Sequence, residues 1–215
     1  MAAEEPTVTK RPLMSLPNRI TFIRMGLVPV FVIVVMQVHE SPMYRTLALA
    51  IFSAMAASDV LDGVLARRFR EESELGTFLD PMADKALMVV AFIMLASRYY
   101  FDPPLLPNWL AVLVISRDVF ITFGFAVLYI MTGEIYIEPT RLGKATTGFQ
   151  MSTIIVALLP DGVGVGANIL QGLVWVTGGL TVVSGIDYFY QGLRKFNEAM
   201  NRRQETGNRR QGSGK

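Results

Sequence analysis

The chain contains no cysteine. There is therefore no disulfide framework, no thiolate metal site and no thiol nucleophile, and the redox compartment leaves no mark on the sequence. Histidine is nearly absent too, with His39 alone in a polar break between apolar blocks. Charge of one sign is also lacking: 20 Lys and Arg stand against 18 Asp and Glu. The resulting +2 is too small to argue for a nucleic-acid partner, and the basic residues gather beside apolar segments instead of forming a groove. Glu4, Glu5, Lys10 and Arg11 occupy the start and no small-residue cleavage pattern follows the first apolar run, so no removable signal peptide is expected. No repeat and no second domain is visible.

What the sequence does contain is long apolar blocks. Hydrophobic residues make up 52% of it and the mean hydropathy is +0.40, which marks a membrane protein. The blocks run over 20–38, 43 to about 65, 76–100, 105–131, about 145–159 and 167 to about 193. Asn18 reads as a cap for the first; His39-Glu40-Ser41-Pro42, Asp102-Pro103-Pro104 and Pro160-Asp161-Gly162 read as breaks. The expected fold is all-α, a polytopic membrane protein with six transmembrane helices. Residues 1–15 form an N-terminal tail, 16–197 the six-helix domain and 198–215 a disordered basic tail.

Six spans put both termini on one side. Of the Lys and Arg residues, Arg45 and Arg98 fall opposite and Lys85 and Arg117 fall inside spans; all the others lie on the side of the termini. By the positive-inside rule that side is cytoplasmic. The expected location is a bacterial inner membrane.

The most informative stretch is 58–85, SDVLDGVLARRFREESELGTFLDPMADK. Asp59 and Asp62 continue with Gly63 and Ala66 as an i, i+3, i+4, i+7 stripe, which shares one helix face. Gly76, Asp80 and Asp84 form a second stripe at intervals of four on the next helix. An ionised Asp in the hydrocarbon region costs roughly 2.5 to 3.5 kcal/mol, so four together call for a compensating charge. A divalent cation supplies it. Mg²⁺ prefers carboxylate and water oxygens, and paired ions about 3.5 to 4 Å apart clamp phosphoryl groups during displacement. The small residues have two readings: close helix–helix contacts, or room beside the carboxylates for a phosphate ester or nucleotide.

The order Asp59-x2-Asp62-Gly63-x2-Ala66-Arg67-x8-Gly76-x3-Asp80-x3-Asp84 resembles the full motif of the CDP-alcohol phosphatidyltransferase family, with every position filled. The likeness extends to Pro17-Asn18, to the run 79–85 and to Gly143-Lys144. The resemblance implies a six-helix membrane enzyme. It would use Mg²⁺ or Mn²⁺, as two ions, to transfer a phosphatidyl group from CDP-diacylglycerol to an alcohol, releasing CMP. It implies that Asp59, Asp62, Asp80 and Asp84 ligate the metals and that Asp84 is also the catalytic base on the acceptor hydroxyl. Asp62, Gly63, Ala66, Arg67 and Gly76 would bind the nucleotide. A lipid donor explains a site at the bilayer, since its acyl chains can stay there. A homodimer is implied by the resemblance alone.

The acceptor must be read elsewhere. Arg117, beside Asp118, lies well inside the fourth block, while Arg141 and Lys144 precede the fifth. Together they suit an acceptor phosphate such as that of glycerol 3-phosphate. The bland readings are an internal Arg117–Asp118 compensation and topology signals at Arg141 and Lys144. Leu16-Pro17-Asn18, Phe78-Leu79-Asp80-Pro81 and Gly143-Lys144-x2-Thr147-x2-Gln150 are similar to family members that use glycerol 3-phosphate. Ile115-Ser116-Arg117-Asp118 and Pro139-Thr140 are similar to members whose acceptor is phosphatidylglycerol. Thr146 stands where many of the first group carry a second basic residue. Asp187 and Tyr188 pair with Arg117, shape the pocket or serve structure alone, Lys85 balances Asp84, and Asn18, Thr21 and Arg24 either touch the nucleotide or a lipid phosphate or anchor the interface. A divalent-cation transporter is the alternative of another class, but it calls for polar groups continuing across the membrane, whereas these aspartates stop at one end.

Overall fold

The computed structural model describes residues 16–69, 74–132, 140–160 and 167–212, with side chains described over 25–58, 85–124, 140–160 and 168–194 and at 127 and 130. Among these residues the fold is all-α. The helices are α1 (Leu16–Met36), α2 (Pro42–Phe69), α3 (Glu74–Ala96), α4 (Asn108–Thr132), α5 (Arg141–Leu158) and α6 (Ala167–Gly212).

Local chemistry sets several boundaries. Pro17 and Pro42 occupy first turns, where the missing N–H has no helical partner to lose. α1 consequently starts at Leu16, which puts Asn18 inside the first turn and not at the cap. α3 stops at Ala96, short of residue 100, because Ser97 folds the chain into a turn: its Oγ accepts from Tyr99 N at 3.2 Å and its carbonyl from Phe101 N at 3.2 Å. α6 runs to Gly212, where a disordered tail was expected from residue 198. Glu198 precedes Arg202, and Glu205 precedes Arg209, by four residues, in the order that supports a helix; net basic composition alone overlooked that spacing.

The connections 37–41 and 97–107 and the C-terminus of α5 share one end. His39 Nε2 meets the Tyr99 carbonyl at 2.8 Å, and Arg45 Nη2 donates to the Ala157 carbonyl at 3.1 Å near the C-terminus of α5. The starts of α1, α3 and α5 and the ends of α2 and α4 therefore gather at the other end. α1 packs on α2 and α3, α4 on α3 and α6, and α5 on α2, α3 and α6. Phe31, Phe52, Phe92, Leu95, Leu106, Leu110, Ile154 and Leu158 form the buried centre, with the Phe31 and Phe52 rings 6.0 Å apart. α4 and α6 approach closely at Gly178, where a Cβ would sit 2.8 Å from the Trp109 ring.

The exterior is unusually apolar: Phe120, Phe123, Ile130, Trp175 and Phe189 are all exposed. Among the described residues, Asn168–Arg194 is the one segment long and apolar enough to cross a membrane by length and composition, and Met25–Met36 and Lys85–Ala96 are shorter apolar stretches.

A polar seam joins α5 to α6. Gly143, Thr146, Gln150, Thr153 and Ala157 are buried along α5 at alternating intervals of three and four. Thr177, Thr181 and Ser184 are buried along α6 at the same alternation, which Tyr188 continues. The Thr153 and Thr177 hydroxyls meet at 2.7 Å, and both lie within reach of the Phe149 carbonyl, at 2.8 and 3.4 Å. Gln150 Nε2 donates to Thr181 Oγ1 at 3.3 Å, and Thr146 Oγ1 lies 3.3 Å from the Leu180 carbonyl. Bonding back to the carbonyl four residues earlier satisfies Thr146, Thr153 and Thr181 within their own helices and makes their burial tolerable. In a double-mutant cycle of Thr153→Val and Thr177→Val, thermal unfolding in detergent should show a coupling of about 0.6 to 1.7 kcal/mol. Strict additivity would mean that the pair does not hold the helices together.

Candidate functional site

Asp59, Asp62, Gly63, Ala66 and Arg67 lie on the later part of α2, and Gly76, Asp80 and Asp84 on the first half of α3. Their side chains lie outside the described residues. The helical backbone nevertheless puts Asp59 and Asp62 on one face and Asp80 and Asp84 on another. The His39–Tyr99 contact ties the start of α2 to the end of α3, so both stripes belong to the opposite end of the bundle. The donor set is carboxylate throughout, which suits a hard, oxygen-seeking divalent ion. Among the described residues no other group of three or more acidic or imidazole side chains could hold a metal.

The described polar residues build a second cluster. Arg117, on α4, has its side chain 10% exposed and forms a 2.7 Å ion pair from Nη1 to Asp118 Oδ1, whose side chain is 12% exposed. Nη2 donates to Ser184 Oγ on α6 at 2.7 Å, and the guanidinium carbon lies 5.2 Å from the centroid of the Tyr188 ring. Nε is buried with no hydrogen-bond partner among the described residues. The internal Arg117–Asp118 compensation and the pairing of Tyr188 with Arg117 are thus both present. Asp187 instead accepts from Gln191 Nε2 at 3.0 Å.

Arg141 and Lys144 are exposed on the first turn of α5. Thr140 caps that turn, its side chain accepting from Gly143 N at 2.9 Å. Two cations beside the N-terminal amides of a helix make an anion-attracting surface. Thr146 is fully buried against α6, so it faces the seam and not the solvent. The α5–α6 seam is the part that the sequence reading did not name. The alternating three-four spacing of Gly, Thr and Gln in 143–153 and of Thr and Ser in 177–184 was the signal.

Lys85 Nζ donates to Thr122 Oγ1 on α4 at 3.2 Å, a tie between α3 and α4; its expected partner Asp84 has no described side chain. A groove of about 430 Å³ opens beside this contact, with Lys85, Val89, Ile115, Asp118 and Phe123 among its lining. The side chains of Asn18, Thr21 and Arg24 lie outside the described residues.

This is a helical bundle with an acidic end on α2 and α3 and cations on α4 and α5, and comparison places it in a class. The sequence model of the CDP-alcohol phosphatidyltransferase family matches residues 14–183, and the chain belongs to that family of transferases. A Bacillus subtilis protein named CDP-diacylglycerol--glycerol-3-phosphate 3-phosphatidyltransferase is 32% identical to it over 82% of this chain and 94% of its own length. A Drosophila melanogaster protein named "Probable cardiolipin synthase (CMP-forming)" is 36% identical over 82% of this chain, which spans only 57% of that relative. A Streptomyces coelicolor cardiolipin synthase (CMP-forming) is 30% identical over 82% of this chain and 80% of its own length.

Removing the cation of a buried pair strands its partner. Arg117→Met should lower stability by about 3 kcal/mol or more in thermal or denaturant unfolding, and Arg117→Met combined with Asp118→Leu should recover most of the loss. A double variant no more stable than the single would show that the ion pair is not what holds Arg117.

Proposed function

We propose that the protein transfers the phosphatidyl group of CDP-diacylglycerol to sn-glycerol 3-phosphate, giving phosphatidylglycerophosphate and CMP. The observation that carries this reading is the complete aspartate motif on α2 and α3, at one end of a bundle whose chain belongs to the family. All six helices would cross the membrane, as the apolar exterior of α4 and α6 favours, with the termini and the aspartate end on the cytoplasmic side.

Asp59, Asp62, Asp80 and Asp84 would hold two Mg²⁺ or Mn²⁺ ions. Bound there, the ions would neutralise charge on the pyrophosphate and stabilise the oxygens of the displacement. Asp84 would accept the proton of the acceptor hydroxyl as that oxygen bonds to the phosphorus and the bond to CMP breaks. Gly63, Ala66 and Gly76 would leave room for the nucleotide, and Arg67 would face its phosphates.

The acceptor follows from charge. A phosphate monoester carries about −1.5 to −2 at pH 7. The diester of phosphatidylglycerol carries one negative charge. Exposed Arg141 and Lys144 at a helix N-terminus, with Arg117 behind them, suit the more highly charged and water-soluble ligand.

The second reading, a cardiolipin synthase with phosphatidylglycerol as acceptor, draws on the Drosophila and Streptomyces relatives and on the segment 115–118. Purified protein with Mg²⁺ and CDP-diacylglycerol is expected to release CMP on addition of glycerol 3-phosphate. Release with phosphatidylglycerol only would establish the second reading, and release with neither acceptor would refute both.

A further inference from the structure

Tyr188 belongs to no motif and carries no charge, yet it joins the two cationic elements of the acceptor region. Its ring lies beneath the Arg117 guanidinium at 5.2 Å, one helical turn beyond Ser184, which holds the same guanidinium at 2.7 Å. One face of α6 therefore fixes Arg117 by a hydrogen bond and by a ring. The hydroxyl at the far end of Tyr188 reaches α5, where it lies 3.4 Å from Thr140 N. It also rests on Gly143: a Cβ there would be 2.6 Å from Tyr188 Oη and 3.1 Å from ring atom Cε2. A side chain at 143 would force the ring away, so glycine is what lets the hydroxyl seat against the first turn.

That turn is the one that matters for charge. Arg141 and Lys144 flank Gly143 and are three residues apart, so they share a face of α5. The α5–α6 seam fixes the two helices from residue 146 to 153, and the Gly143–Tyr188 contact carries the same antiparallel register to the start of α5. Arg117 keeps one buried donor, Nε, without a partner among the described residues.

We propose that Tyr188 is a positioning residue of the acceptor site. It holds the first turn of α5, with Arg141 and Lys144, in register with Arg117 on α4, so that cations from two helices present one site to the acceptor phosphate. This rests on the acceptor reading above. Tyr188 does not touch the reacting atoms.

The test uses the full chain with CDP-diacylglycerol and whichever of glycerol 3-phosphate and phosphatidylglycerol supports CMP release. Tyr188→Phe keeps the ring under Arg117 and removes only the hydroxyl; Gly143→Ala keeps the hydroxyl and displaces it. Each variant is expected to raise the apparent KM for the acceptor by roughly five- to ten-fold. The KM for CDP-diacylglycerol and kcat should stay within about two-fold. Because both changes break one contact, the double variant should be no worse than the more damaged single.

An unchanged acceptor KM, an equal rise in the donor KM, or a melting temperature that falls while acceptor KM stays put would overturn the proposal. Should Gly143→Ala fail to fold, Tyr188→Phe decides alone. Lys144→Ala separates the levels of inference. If it raises the acceptor KM and Tyr188→Phe does not, the positioning role fails and the acceptor site stands. If neither moves it, the acceptor site itself is refuted and the positioning role with it.

Discussion

A polar group inside an apolar helical bundle has to find its partner within the protein, and that constraint organises this chain. Hydroxyls between α5 and α6 bond back to their own helices and then to each other. Arg117 is met by a carboxylate, a hydroxyl and an aromatic face. Lys85 is tied to a threonine across α3 and α4. Each tie also fixes how one helix sits against the next, so the polar minority sets register in a fold whose apolar surfaces would slide past each other at little cost. The four aspartates are the part of the polar set whose compensation would come from ions and not from side chains.

The helix count and the up-and-down order were legible in the sequence, because apolar block length and the proline-containing breaks speak directly to them. Ends were less so. The stop at Ala96 depends on a serine folding back on its own backbone, and α6 runs on to Gly212 through a segment whose net charge alone does not suggest a helix. The aspartate stripes were visible as helical periodicity, and their place on α2 and α3 agrees with it. The neighbourhood of Arg117 was only half legible. Its partner Asp118 is adjacent in sequence, but Ser184 and Tyr188 come from α6, 67 residues away in the case of Ser184, and no local pattern announces that crossing. Of the two residues named as possible partners for Arg117, Tyr188 meets it and Asp187 pairs with Gln191.

The chain belongs to one family, whose relatives carry names for more than one acceptor. Relatives named for two different acceptors match this chain at comparable identity, so overall similarity does not choose between them. The proposed acceptor rests instead on local chemistry. The cations are distributed between a sealed site on α4 and an open turn on α5, and Thr146 is turned into the helix seam. That leaves the charge of the acceptor phosphate, matched to Arg117, Arg141 and Lys144, as the physical basis for the choice.

The two-metal reading of α2 and α3 is tested most directly by Mn²⁺ binding to the purified protein followed by electron paramagnetic resonance. Ions bound about 3.5 to 4 Å apart should interact magnetically. The expected result is two ions per chain with a spin-coupled spectrum, reduced to an uncoupled signal or lost in Asp80→Asn. A single uncoupled ion in the unaltered protein, or binding indifferent to Asp80, would contradict it.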